Sequence, residues 1–147
     1  YVECFWKDYV EELSPSLVIM EAHTINDWLL ADGPENYQKR LENMIERVQQ
    51  LGSRVVLVTV SPIIGEQTRP NVDIPYSDYV EASRRAAAKM RIPLCDANAI
   101  MSACISNMSE ERAAELLFWD QWHVNDRGHQ LYAQMIFQTL QQLHYLD

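Results

Sequence analysis

Asp120 and His123 stand three residues apart in the segment Phe118-Trp-Asp-Gln-Trp-His-Val-Asn-Asp-Arg-Gly-His129. A carboxylate at that spacing in a loop can accept a hydrogen bond from one nitrogen of the imidazole. Such a bond fixes the tautomer, stabilises the imidazolium formed during proton transfer, and leaves the other nitrogen as a general base. The pair by itself also describes a solvated Asp beside a surface His. What sets it apart is its company, Trp119 and Trp122 beside it and an Asn125…Gly128-His129 continuation into a helix. A second segment, Leu17-Val-Ile-Met-Glu-Ala-His-Thr-Ile-Asn-Asp-Trp28, places Asn26 just past an apolar run. An amide there can donate to an oxyanion developing on a substrate carbonyl, or it can close an Asx-turn that satisfies loop backbone.

Both segments need elements to position them. Apolar spacing over residues 3–13 predicts a helix ending before Pro15, and Ser16–Ala22 is a continuous apolar run that suits a parallel strand covered on both faces. His23–Pro34 reads as a loop rich in turn formers, and Glu35–Leu51 as a long amphipathic helix with Gly52 after it. The pattern repeats with a buried strand at Arg54–Val60, a Pro-broken loop at Ser61–Pro75 and a helix at Tyr76–Met90. A short strand at Pro93–Ala97, one or two helices in residues 98–117 with Ser109 as an N-cap, and a terminal helix at Arg127–His144 complete it. Strands alternating with helices predict a parallel sheet with helices on both faces, and ligands in such sheets bind beyond the carboxyl ends of the strands.

Composition narrows the function. The chain has 147 residues, 48% of them hydrophobic, with a net charge of -9. Its length suits one domain, and its acidity disfavours phosphate backbones and anionic membrane surfaces as partners. No apolar run is long enough to span a bilayer. Cys4, Cys95 and Cys104 show neither CxxC nor Cys/His spacing, so they read as small core thiols, and Asp120 with His123 lacks a third metal ligand. His23 borders the Asn26 segment and reads as a half-buried loop residue or a substrate contact. Trp28 and Trp122 read as pocket walls or as packing. His129 belongs to a helix start, and Glu21 is expected to face a polar partner near the end of its strand.

Together the two segments resemble the SGNH/GDSL hydrolase superfamily, in which a strand ends in a G-x-N-D block and a later D-x-x-H block precedes a Gly-containing helix start. Thr24-Ile-Asn-Asp27 matches the first and Asp120-Gln-Trp-His123 the second. The resemblance covers essentially the whole chain and implies a single three-layer α/β/α domain, flavodoxin-like, lacking its first strands here. It implies that His123 is the general base, Asp120 its orienting partner, Asn26 an oxyanion donor and Asp27 a loop-structuring residue. The implied reaction is hydrolysis of a carboxylic ester (a small ester, a lipid or an acetylated sugar), with no cofactor or metal. An acyltransferase with the same triad, and a non-catalytic binding or assembly domain on the same fold, are the alternatives. Two departures stand out. Thr24 occupies the usual Gly position, so ordinary extended or helical backbone is expected there. No serine lies in a G-D-S block, so the nucleophile is expected upstream of this chain.

Overall fold

The structure is a computed structural model and describes residues 6–30, 32–65 and 73–146. Its strands are β1 (Leu17–Glu21), β2 (Arg54–Val58) and β3 (Leu94–Cys95). Its α-helices are α1 (Thr24–Leu30), α2 (Pro34–Gln50), α3 (Tyr76–Met90), α4 (Ala97–Ile105), α5 (Glu110–Leu117) and α6 (Asp126–Gln142). A π-helical turn at Lys7–Glu11 stands where a helix over 3–13 is expected; the first part of that span lies outside the described residues. The three strands run parallel in the order β1-β2-β3, with Ile19 opposite Val56 and Val58 opposite Cys95.

β2 organises both layers. Its Val55, Val56, Leu57 and Val58 are all 3% exposed or less. Alternation sends Val55 and Leu57 to a cluster with Leu41, Ile45 and Tyr79, while Val56 and Val58 join Met101, Leu117 and Met135. Helices α1 to α3 therefore cover one face and α4 to α6 the other, the three-layer α/β/α arrangement. Each fully buried Val or Leu of β2 contributes about 1.5–3 kcal/mol of transfer free energy. α2 follows from its apolar spacing, since Tyr37, Leu41, Ile45 and Val48 fall on one side and are buried. Pro34 suits its first turn, and Gly52 leaves it with φ +79°, its N–H donating to the Gln49 carbonyl at 2.9 Å. Ser109 caps α5 as expected, its Oγ accepting from the Arg112 N–H at 3.3 Å.

β1 sits at the edge of the sheet. The Ser16 carbonyl accepts from the Arg54 N–H and the Ala22 N–H donates to the Val58 carbonyl, both at 3.0 Å. By the strand's period of two, the peptide groups of Val18 and Met20 face β2, while those of Leu17, Ile19 and Glu21 face away. Among the described residues no strand pairs with that outer side, and the Ile19 side chain is 44% exposed. The strands are also shorter than the apolar runs that announce them: Asp96 and Ala97 leave β3 to start α4, while residues 59–65 run on from β2 as loop. One expectation is overturned outright. Residues 23–34 are not a loop throughout, because α1 occupies Thr24–Leu30 within them.

Candidate active site

The segment 118–129 folds back on itself. Phe118 and Val124 form an antiparallel bridge, the Trp119 N–H donates to the His123 carbonyl at 2.8 Å, and the Asn125 N–H donates to the Leu117 carbonyl at 2.9 Å. Asp120 fills the inside of this turn. Its Oδ1 accepts from the backbone N–H groups of Trp122 at 2.9 Å and His123 at 2.8 Å, and its Oδ2 lies 2.7 Å from His123 Nδ1. The hydrogen bond from the His123 ring, followed by that from its backbone N–H, holds the Asp120 carboxyl down to about 2. Asp120 is thus ionised at neutral pH and can only accept from Nδ1, so that in the neutral form of the ring Nε2 is the acceptor. Asn125 caps α6, accepting from the N–H groups of Arg127 and Gly128. Gly128 is required by space, since a Cβ there would press on the Leu117 carbonyl and lie 2.6 Å from the Val124 Cβ.

Asn26 is held differently. It lies in the first turn of α1, not in a loop, and its neighbour Thr24 is fully buried with ordinary helical backbone. The left-handed residue is His23 instead, at φ +44°. Thr24 Oγ1 lies 3.1 Å from the Tyr37 hydroxyl, and Arg40 donates to Asp27 through Nε at 3.1 Å and through its Nη2.

Asn26 and His123 line one open cleft of about 760 Å³ at the carboxyl end of the sheet, together with Ile19, Glu21, His23, Val60, Ser61, Trp122, His129, Tyr132 and Ile136. His23 and Trp122 are therefore at the cleft, as a substrate contact requires. Trp28 is not. Its side chain is 1% exposed, its indole N–H donates to the Ile74 carbonyl at 2.7 Å, and its ring meets Tyr76 edge-on at 5.8 Å. A helix beginning at Thr24 turns Trp28 into the core, where a loop would have left it free to line a pocket. Glu21 lines the cleft at the end of its strand and is exposed. Tyr132 comes from α6, its hydroxyl donating to the Thr59 carbonyl at 3.3 Å, with burial as the main cause raising its phenol well above the ordinary range.

Of the chain's serines, Ser61 lines this cleft, yet it is 2% exposed and its hydroxyl reaches the Trp122 carbonyl at 3.4 Å. A hydroxyl spent on a carbonyl and shut from water is poorly posed to attack. Among the described residues no group of three or more His, Cys, Asp or Glu is arranged to hold a metal ion, and Cys95 and Cys104 are free thiols. Cys95 is buried as expected, Cys104 is exposed against expectation, and Cys4 lies outside the described residues. No helix of the described residues is long and apolar enough to cross a membrane. The residues that sequence reasoning missed are Tyr37 and Arg40, whose polar ends reach α1 from the flank of an amphipathic helix.

Residues 5–131 match the profile of the GDSL-like lipase/acylhydrolase family. No curated protein matches the chain. Among solved structures, an acetyl xylan esterase, AlAXEase, aligns with a TM-score of 0.76 at 18% identity, over 95% of this chain and 74% of that one. The acetylxylan esterase Axe2 of Geobacillus stearothermophilus aligns with a TM-score of 0.75 at 17% identity, over 95% of this chain and 65% of its own. LAE5, an alpha/beta hydrolase from the metagenome of Lake Arreo, Spain, aligns with a TM-score of 0.70 at 21% identity, and this chain spans 94% of itself and 65% of LAE5. At such identities the likeness is one of fold.

Proposed function

The chain belongs to the GDSL-like lipase/acylhydrolase family, and from that premise we propose that it carries the base, the orienting carboxylate and an oxyanion donor of a serine esterase. The observation that carries this reading is that Asn26 and His123 share a cleft while Asp120 occupies His123 Nδ1. In the proposed cycle a serine hydroxyl attacks the ester carbonyl carbon as His123 Nε2 takes its proton. The electron pair of the C=O bond moves to oxygen, where the Asn26 amide donates to it. The intermediate collapses, the alkoxide leaves with the proton from His123, and water repeats the sequence on the acyl-enzyme to release the acid. Asp120 stays ionised throughout and steadies the imidazolium.

The nucleophile in this reading is a serine outside these 147 residues. Two observations support it: Ser61 is buried against the Trp122 carbonyl, and the side of β1 that no described strand pairs adjoins the cleft through Ile19 and Glu21. A further parallel strand on that side would end beside the cleft. For the acyl group, the acetylxylan esterases among the structural neighbours favour short esters such as acetylated sugars.

The test uses the full-length protein and p-nitrophenyl acetate. His123→Ala should lower kcat on the order of 10⁶-fold and Asn26→Ala about 10²–10³-fold. A fluorophosphonate should label one serine in the full-length protein and none within these residues. Turnover unchanged in His123→Ala would defeat the triad assignment. A full-length protein with neither turnover nor label would point to a non-catalytic binding domain on the same fold.

A further inference from the structure

We infer that Tyr37 and Arg40 of α2 are positioning residues for Asn26, a two-point clamp on the short helix that bears it. The inference rests on the reading of Asn26 as an oxyanion donor. α1 has seven residues, too few to hold a helix by its own hydrogen bonds. Its geometry must come from outside, and α2 supplies it at both ends. The Tyr37 hydroxyl donates to the Ala22 carbonyl at 2.5 Å, just before α1, and lies 3.1 Å from Thr24 Oγ1 at its start. Its third neighbour, Ser83 Oγ at 2.8 Å, ties it to α3. Burial pushes the Tyr37 phenol up to about 12, so it keeps the proton it donates.

Arg40, one turn further along α2, takes the other end. It donates to Asp27, which directly follows Asn26, and to both oxygens of Asp32 beyond α1, at 2.5 Å and 3.1 Å. Tyr37 is 1% exposed and close-packed, whereas the Arg40 side chain is 42% exposed. A carbonyl before Asn26 and a carboxylate after it are thus fixed by two side chains of one helix. An oxyanion donor misplaced by a fraction of an ångström loses its advantage in the transition state while ground-state binding hardly changes.

The experiment compares Tyr37→Phe and Arg40→Gln, each alone and combined with Asn26→Ala, in the full-length protein with p-nitrophenyl acetate. Each single change should lower kcat on the order of tenfold with KM nearly unchanged. In the Asn26→Ala background each should cost nothing further, because the group being positioned is gone. A purely structural role would give the same fractional loss in both backgrounds, and that result overturns the clamp while leaving the oxyanion reading intact. Unchanged kcat in both single variants overturns it as well. If Asn26→Ala itself leaves turnover unaltered, the reading beneath the clamp fails and takes the clamp with it. Arg40→Gln, at a half-exposed position, keeps the test decisive should Tyr37→Phe fold poorly.

Discussion

The two halves of the site are held by opposite means. His123 is framed mainly by its own loop, with Asp120 three residues away accepting from its ring and its backbone N–H and Asn125 closing the turn into α6, while Ser61 and Ile64 donate from outside to the carbonyls of Trp122 and Gln121. Its side chain remains 72% exposed. Asn26 has no such local frame. The groups that fix its helix come from Tyr37 and Arg40, between 8 and 15 positions away in sequence from the atoms they hold. A turn built mostly from its own residues is disturbed mainly from within, whereas a helix braced from a neighbour inherits every shift of that neighbour. Ion pairs at exposed positions add little stability. The value of Asp120 therefore lies in orientation.

Four measurements sharpen or break this contrast. The largest effect is expected from Asp120→Asn, which preserves the backbone hydrogen bonds of the turn but presents the wrong partner to Nδ1. In the full-length protein kcat should fall on the order of 10⁴-fold with the fold intact by circular dichroism, and a loss under tenfold would show that the ring is oriented by something else. Next comes Gly128→Ala, which forces a methyl onto the Leu117 carbonyl and Val124 and should destabilise by about 1–3 kcal/mol in urea titration. A neutral result would mean that the turn yields easily. Thr24→Val removes one hydroxyl from the Tyr37 group and should cost about 1 kcal/mol, the Ala22 and Ser83 contacts surviving. A cost several times larger would show that the bracing of α1 rests on Thr24 more than on Tyr37.

The smallest effect is one of pH. Asp120 titrates at about 2 in the folded protein, below the ordinary value near 3.9 for an unfolded chain. As pH falls, the unfolded state takes up the proton first, so the contribution of Asp120 to stability is complete above about pH 4 and fades toward pH 2. The difference in unfolding midpoint between the parent and Asp120→Asn should shrink across that window. A difference that widened there would reverse the sign and reject the assignment.

The same contrast explains what the sequence made legible. Asp120–His123 can be read from spacing because the carboxylate bonded to the ring lies within the same turn. β2 was legible because a run such as Val55–Val58, uninterrupted by polar residues, has nowhere to go but a covered strand, and α3 falls at Tyr76–Met90 as its periodicity predicts. α1 was not legible. Asn26 and Asp27 are turn formers and equally good residues for a helix's first turn, and seven residues give too little periodicity to decide. What surrounds that helix is tertiary: Trp28 packs into the core, and Tyr37 and Arg40 bond Ala22, Thr24 and Asp27 from α2. The two readings of Trp28, pocket wall or packing, stayed open for the same cause, since a residue's direction into core or cleft depends on the backbone that carries it.

The outer side of β1 has a practical consequence for anyone handling these 147 residues alone. Among the described residues no strand pairs with the outward amides and carbonyls of Leu17, Ile19 and Glu21, along a ribbon that contains no proline and only one charge, at Glu21. Such a ribbon is a template on which identical chains stack, and the crowding of a concentrated sample favours it. The net charge of -9 keeps copies apart at low ionic strength, so colloidal behaviour should worsen as salt screens that repulsion.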